Sequence, residues 1–178
     1  MNHRGRLKAG AIALVSLAAL ALGMVDPAWQ TRSVVTEPGE QTSVTLSDGS
    51  VILLNEDTQL DIDSRLFSRR FTLLEGEAAF RVADGWRPFV VQARRTQVRN
   101  MGTVFTIRNE VDGAQVSVQE GAVEVSVDSG RVTVPAPQAV ETRAGMVSAP
   151  KEADPRSTVW QKGRLLPDGT SSVGSRQR

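Results

Sequence analysis

Two stretches of this chain place carboxylates where a reaction could use them. Glu75 and Glu77 flank a glycine in EGEAAFRV, and the pattern returns about 45 residues later in EGAVEVSV, from Glu120 to Val127. Residues two apart on a strand face the same side, so Glu75 and Glu77 are candidates to meet, and a glycosidase needs two carboxylates about one bond. The surroundings argue against that chemistry. The chain has no Tyr, and its three Trp are scattered, so no aromatic cleft is in view. It has no Cys, which excludes thiolate catalysis, zinc-thiolate sites and disulfides. Its one histidine, His3, lies in the N-terminal tail, away from any folded part. Asp61 and Asp63 alternate with Leu60 and Ile62, which reads as the polar outer face of a strand more than as a calcium site. Glu75 and Glu77 are therefore read as solvated turn residues. No catalytic residue, cofactor or metal ligand is expected, nor an enzyme.

The elements that would position these residues read as strands. Thr42-Ser43-Val44-Thr45-Leu46, Phe71-Thr72-Leu73, Ala78-Ala79-Phe80-Arg81-Val82 and Val123-Glu124-Val125-Ser126-Val127 alternate with period two, and Val51–Leu54, Phe89–Val91 and Thr103–Ile107 are short runs of β-formers. Acidic-Gly pairs recur at Asp48-Gly49, Glu75-Gly76, Asp84-Gly85, Asp112-Gly113 and Glu120-Gly121, where glycine supplies the positive φ of a tight turn. The echo of EGEAAFRV is thus expected to be a repeated hairpin. The fold class is all-β: an elongated antiparallel domain of short strands and hairpins, with a solenoid as one candidate form. The net charge of +1 offers no field for nucleic acid, and no small-molecule substrate is indicated.

The N-terminus has another character. Residues 9–25, AGAIALVSLAALALGMV, carry no charge and follow Arg4, Arg6 and Lys8. Seventeen helical residues reach about 25 Å, the short end for a membrane span. The basic flank places the N-terminus in the cytoplasm and everything after Asp26 outside. A cleaved signal peptide is the rival, with Ala21-Leu22-Gly23 as a small-x-small site; a buried helix of a soluble protein lacks the polar stripe it would need. The expected organisation is a short cytoplasmic tail (1–8), a transmembrane helix or uncleaved signal anchor (9–25), a periplasmic β domain (31–147), and a linker with a disordered C-terminal tail (148–178), whose end from Asp168 is nearly free of apolar residues.

The order of motifs resembles the FecR family, membrane-anchored regulators of extracytoplasmic-function sigma factors. Gly39-Glu40, Leu46-Ser47-Asp48-Gly49-Ser50 and Leu54-Asn55 are similar to its opening G-E…L-x-D-G-S…L-N. Leu74 to Val82 resembles L-x-G-E-A-x-F-x-V; Pro88-Phe89-Val90-Val91 follows; Gly102-Thr103-Val104-Phe105-Thr106-Ile107 is similar to G-T-x-F-x-V, and Val116 to Val125 to V-x-V-x-x-G-x-V-x-V. Together they cover roughly Thr36 to Val127. Phe80, Phe89 and Phe105 are candidate core anchors, and Gly102 a bend before a buried strand. The resemblance implies an inner-membrane, single-pass regulator of cell-surface signalling linked to iron or siderophore uptake. Its implied partners are a sigma factor and the signalling domain of a TonB-dependent transporter. Family members usually carry a cytoplasmic domain of several dozen residues before the membrane helix, and a small α/β domain after a Trp-Gly element that Trp160-Gln161-Lys162-Gly163 resembles. Neither is in view here, so this chain by itself is not expected to hold a sigma factor. The alternative is an exported non-catalytic β domain serving as an envelope structural or binding module.

Overall fold

The computed structural model describes residues 26, 28–100, 102–154 and 160–161. The expected transmembrane helix at 9–25 and the expected disordered end from Asp168 lie outside them. The strands are β1 (Ala28–Val35), β2 (Thr42–Thr45), β3 (Val51–Leu54), β4 (Gln59–Arg65), β5 (Arg69–Glu75), β6 (Glu77–Arg81), β7 (Phe89–Ala93), β8 (Thr96–Asn100), β9 (Val104–Glu110), β10 (Gly113–Glu120), β11 (Ala122–Val127), β12 (Gly130–Pro135), β13 (Gln138–Arg143), β14 (Met146–Val147) and β15 (Lys151–Glu152). Regular structure therefore runs past both ends of the stretch 31–147.

The strands form two sheets rather than the coils of a solenoid. One has the order β1-β4-β5-β7-β8-β11-β12; the other runs β14-β13-β10-β9-β6-β3-β2, with β15 also paired to β13. Alternation explains the pairing of the sheets. Leu60 and Ile62 of β4, Phe71 and Leu73 of β5, and Val91 of β7 share one buried cluster with Ile52 and Leu54 of β3, Phe80 of β6, and Phe105 and Ile107 of β9. Two half-apolar sheets bury their inner faces against each other, as in a β-sandwich.

Phe80, Phe89 and Phe105 are fully buried, as their positions predict, and Phe71 joins them. Phe71 stacks on Phe89 within the first sheet (centroids 4.3 Å apart), and Phe80 stacks on Phe105 within the second (5.1 Å). Across the interface the rings meet edge to face, Phe80 on Phe89 at 75° and Phe89 on Phe105 at 90°. Offset stacking within a sheet and edge contacts between sheets both suit the ring quadrupole.

The pairing is antiparallel except for β5 and β7, which run parallel. The purely antiparallel expectation fails there for a simple reason. β6, between them in sequence, lies in the other sheet, so the chain returns to the first sheet having reversed direction twice.

Candidate interaction surface

The two acidic-Gly echoes are not hairpins. Glu75 ends β5 in the first sheet and Glu77 opens β6 in the second; Glu120 ends β10 in the second and Ala122 opens β11 in the first. Gly76 and Gly121 are the corners at which the chain changes sheet, with φ of +78° and +74°. A Cβ on Gly76 would collide with Thr58 Oγ1 and the Asp57 carbonyl; one on Gly121 would collide with the Gly102 carbonyl. Both need glycine for conformation and for space. Glu75 is exposed and Glu77 half-buried on opposite sides of such a corner, so the two carboxylates do not form a pair. The i, i+2 rule assumes one continuous strand, and the chain breaks at Gly76. Asp48-Gly49 does lie in a hairpin, between β2 and β3, and Asp112-Gly113 lies at the turn from β9 to β10.

The D-G-S turn is an anchor. Asp48 accepts the Ser50 amide through Oδ1 (2.9 Å) and Arg69 Nη1 through Oδ2 (2.6 Å), while Ser50 Oγ accepts the Ala83 amide (3.0 Å). Arg69 also donates through Nη2 to the Arg87 carbonyl (2.7 Å) and lies over the Phe89 ring, 5.2 Å from its centroid. Burial pushes the Asp48 carboxyl up, but the Ser50 amide and the Arg69 guanidinium outweigh it and hold it below its ordinary range. Arg69 is almost wholly buried and ties the β2–β3 and β6–β7 loops to the start of β5. Nothing in its local sequence distinguishes it from the surface arginine Arg70.

Glu77 is the centre of a second network. Asn55 Nδ2 donates to Glu77 Oε2 (3.1 Å), and Gln41 Nε2 donates to Asn55 Oδ1 (2.7 Å). The Glu77 amide donates to Thr58 Oγ1 (3.0 Å), and Thr36 Oγ1 donates to the Asn55 carbonyl (2.6 Å). The indole Nε1 of Trp160 donates to Glu77 Oε1 (3.1 Å). Burial pushes the Glu77 carboxyl above its ordinary value, against these hydrogen bonds, which favour the charged form. A carboxylate held by two neutral donors and facing the C-terminal segment is suited to docking chain.

The outer face of the second sheet shows what docks. Ser43, Leu53, Ala79, Thr106, Ser117 and Ala139 are successive register partners across β2, β3, β6, β9, β10 and β13. They make one row across the sheet, and from Leu53 to Ala139 each is at most 5% exposed although the row lies away from the core. At one end Lys151–Glu152 pairs with β13, and Ala153 donates to the Pro137 carbonyl (3.0 Å). At the other, Trp160 packs against Leu53, Ala79 and Val104. Gln161 Nε2 donates to Thr106 Oγ1 (2.7 Å), which also accepts from Gln119 Nε2 (3.0 Å). Mostly small side chains form a trough, and residues after β14 are fixed at both of its ends. These contacts fall inside the stretch expected to be linker and tail. Among the described residues no group of three or more His, Asp or Glu side chains could hold a metal ion, and Asp63 serves Thr31 and Arg65 instead.

The FecR family model (FecR protein) matches residues 32–124, and the chain belongs to that family. Two crystal structures of a candidate anti-sigma factor from Parabacteroides distasonis share the fold. The first is 28% identical with a TM-score of 0.67, over 75% of this chain and 66% of that one. The second is 29% identical with a TM-score of 0.66, over 74% and 65%. The chain thus spans just under two thirds of those solved chains. No curated protein matches it.

Proposed function

We propose that this chain is the periplasmic portion of a FecR-type regulator, held at the inner membrane by residues 9–25, that transmits a cell-surface signal to a sigma factor. The observation that carries this reading is the FecR match over 32–124, joined to the fold it has in common with a candidate anti-sigma factor. The signature residues support a regulatory part over an enzyme. Asp48, Gly76, Glu77 and Gly121 form corners and loop ties. The uncharged segment with its basic flank supports the anchor and the topology. The sandwich would then meet its signal, such as a transporter's signalling domain in iron or siderophore uptake, outside the membrane, while the sigma factor lies within.

The test is affinity purification of the gene's full product from cross-linked membranes of its host. A sigma factor enriched over an unrelated single-pass protein is the expected result. Recovery of envelope-assembly components with no sigma factor would replace this reading with that of an exported binding module.

A further inference from the structure

Asp26 is the first residue after the uncharged segment, and it is tied directly to the domain. Arg65 Nη1 donates to its carbonyl (2.9 Å), the Phe67 amide donates to Oδ1 (2.9 Å), and Ser68 Oγ donates to Oδ2. These partners form the turn between β4 and β5. Consecutive Cα atoms lie about 3.8 Å apart, so no spacer separates residue 25 from this turn.

The same end of the sandwich carries an unusual surface. Leu66 and Phe67 at the turn are 49% and 43% exposed, and Trp86, in the loop before β7, is 77% exposed. The loops are neighbours: Arg69 donates its amide to the Pro88 carbonyl (2.8 Å), and Arg87 Nη1 reaches the Arg65 carbonyl (3.5 Å). Trp86 shares a recess with Arg69, Arg87 and Arg99. Arg70 is exposed beside them. Of the nearby acids, Asp48 is held by Arg69, Asp63 by Arg65, and Asp26 by the turn itself, leaving Asp84 and the exposed Glu120 at the rim against Arg70, Arg87 and Arg99. Aromatic and aliphatic side chains among arginines match a membrane-water interface, where indole rings settle at headgroup depth and cations meet anionic lipid. The opposite end exposes Val35, Leu74, Val111 and Met146, but no aromatic residue is among the exposed large side chains described there.

We infer that the loops carrying Leu66, Phe67 and Trp86 seat this end of the sandwich on the anionic membrane surface, so that the domain stands end-on with the Val111 turn pointing away. This rests on residues 9–25 being the anchor proposed above. It gives the regulator a fixed orientation, with the outer face of the second sheet, occupied by Trp160 and Gln161, turned sideways along the membrane.

The chain has no cysteine, so single nitroxide labels can be placed on the full chain reconstituted in vesicles of phosphatidylethanolamine and phosphatidylglycerol. Labels at Leu14→Cys, Phe67→Cys, Trp86→Cys and Val111→Cys would be ranked by the ratio of oxygen to nickel-chelate accessibility. Expected is a deep reading at 14, a headgroup-depth reading at 67 and 86 several-fold above that at 111, and a water-like reading at 111. A deep label at 14 with 67 and 86 as wet as 111 overturns the seating but leaves the anchor. A water-like label at 14 removes the anchor and the seating with it. Headgroup-depth readings at 67, 86 and 111 alike overturn the end-on orientation.

Discussion

Arg69 is a residue whose loss the structure tolerates poorly. Removing one partner of a buried ion pair leaves the other desolvated and uncompensated, which costs about 3–5 kcal/mol, and Arg69 also holds the Arg87 carbonyl and covers Phe89. Arg69→Met is predicted to lower the unfolding free energy by about that amount in urea titration, a large share of a typical domain's 5–15 kcal/mol. An unchanged midpoint would show that the D-G-S anchor is ornamental. Phe105→Ala is predicted to cost about 3–5 kcal/mol, because the ring's stacking and edge partners cannot close the gap. Glu77 gives a pH signature. Burial raises its folded pKa above the unfolded value, so its contribution is fully present below the unfolded value and is lost as pH rises through the folded one. Wild type is therefore predicted to lose melting temperature between mildly acidic and neutral pH relative to Glu77→Gln; parallel profiles for the two proteins would show that burial at Glu77 carries no such linkage. Phe105 was legible in the sequence as a core anchor, but the roles of Arg69 and Glu77 were not. A lone buried arginine reads like its exposed neighbour Arg70, and Glu77 reads as a turn residue until Gly76 is known to be a corner.

At the scale of elements, alternation was legible where a strand buries one face. Val51–Leu54 is β3 to the residue, Thr42–Leu46 and Ala78–Val82 fall on β2 and β6 within a residue, and Thr103–Ile107 covers the start of β9, which runs three residues further to Glu110. The edge strand β1 and the polar β8, TQVRN, whose one large apolar side chain is Val98, carry too little contrast to be read. The glycine signal was real but ambiguous, since a hairpin and a change of sheet both ask for positive φ; only register tells them apart. The resemblance of Trp160-Gln161 to a family element marked the right residues, yet their seat on Leu53, Ala79 and Thr106 depends on a row spread over six strands, which no local window contains. Trp160→Ala is predicted to free the C-terminal segment. Hydrogen exchange should rise at the outer positions of β3, β6 and β9 while the Phe80–Phe105 core stays protected. Exchange unchanged in those strands would mean that Trp160 does not hold the trough closed.

At the scale of the molecule, the sandwich is proposed to act as a mount. One end carries Asp26, one face seats Trp160 and Gln161, and the regulatory role proposed above rests on the family match. The most direct measurement of that claim is RNA sequencing of the host with the gene deleted, with and without a complementing copy, in iron-replete and iron-limited medium. The account predicts that the regulon of one sigma factor changes on deletion and returns with the wild-type copy. A transcriptome in which no sigma-factor regulon moves under either condition would contradict it.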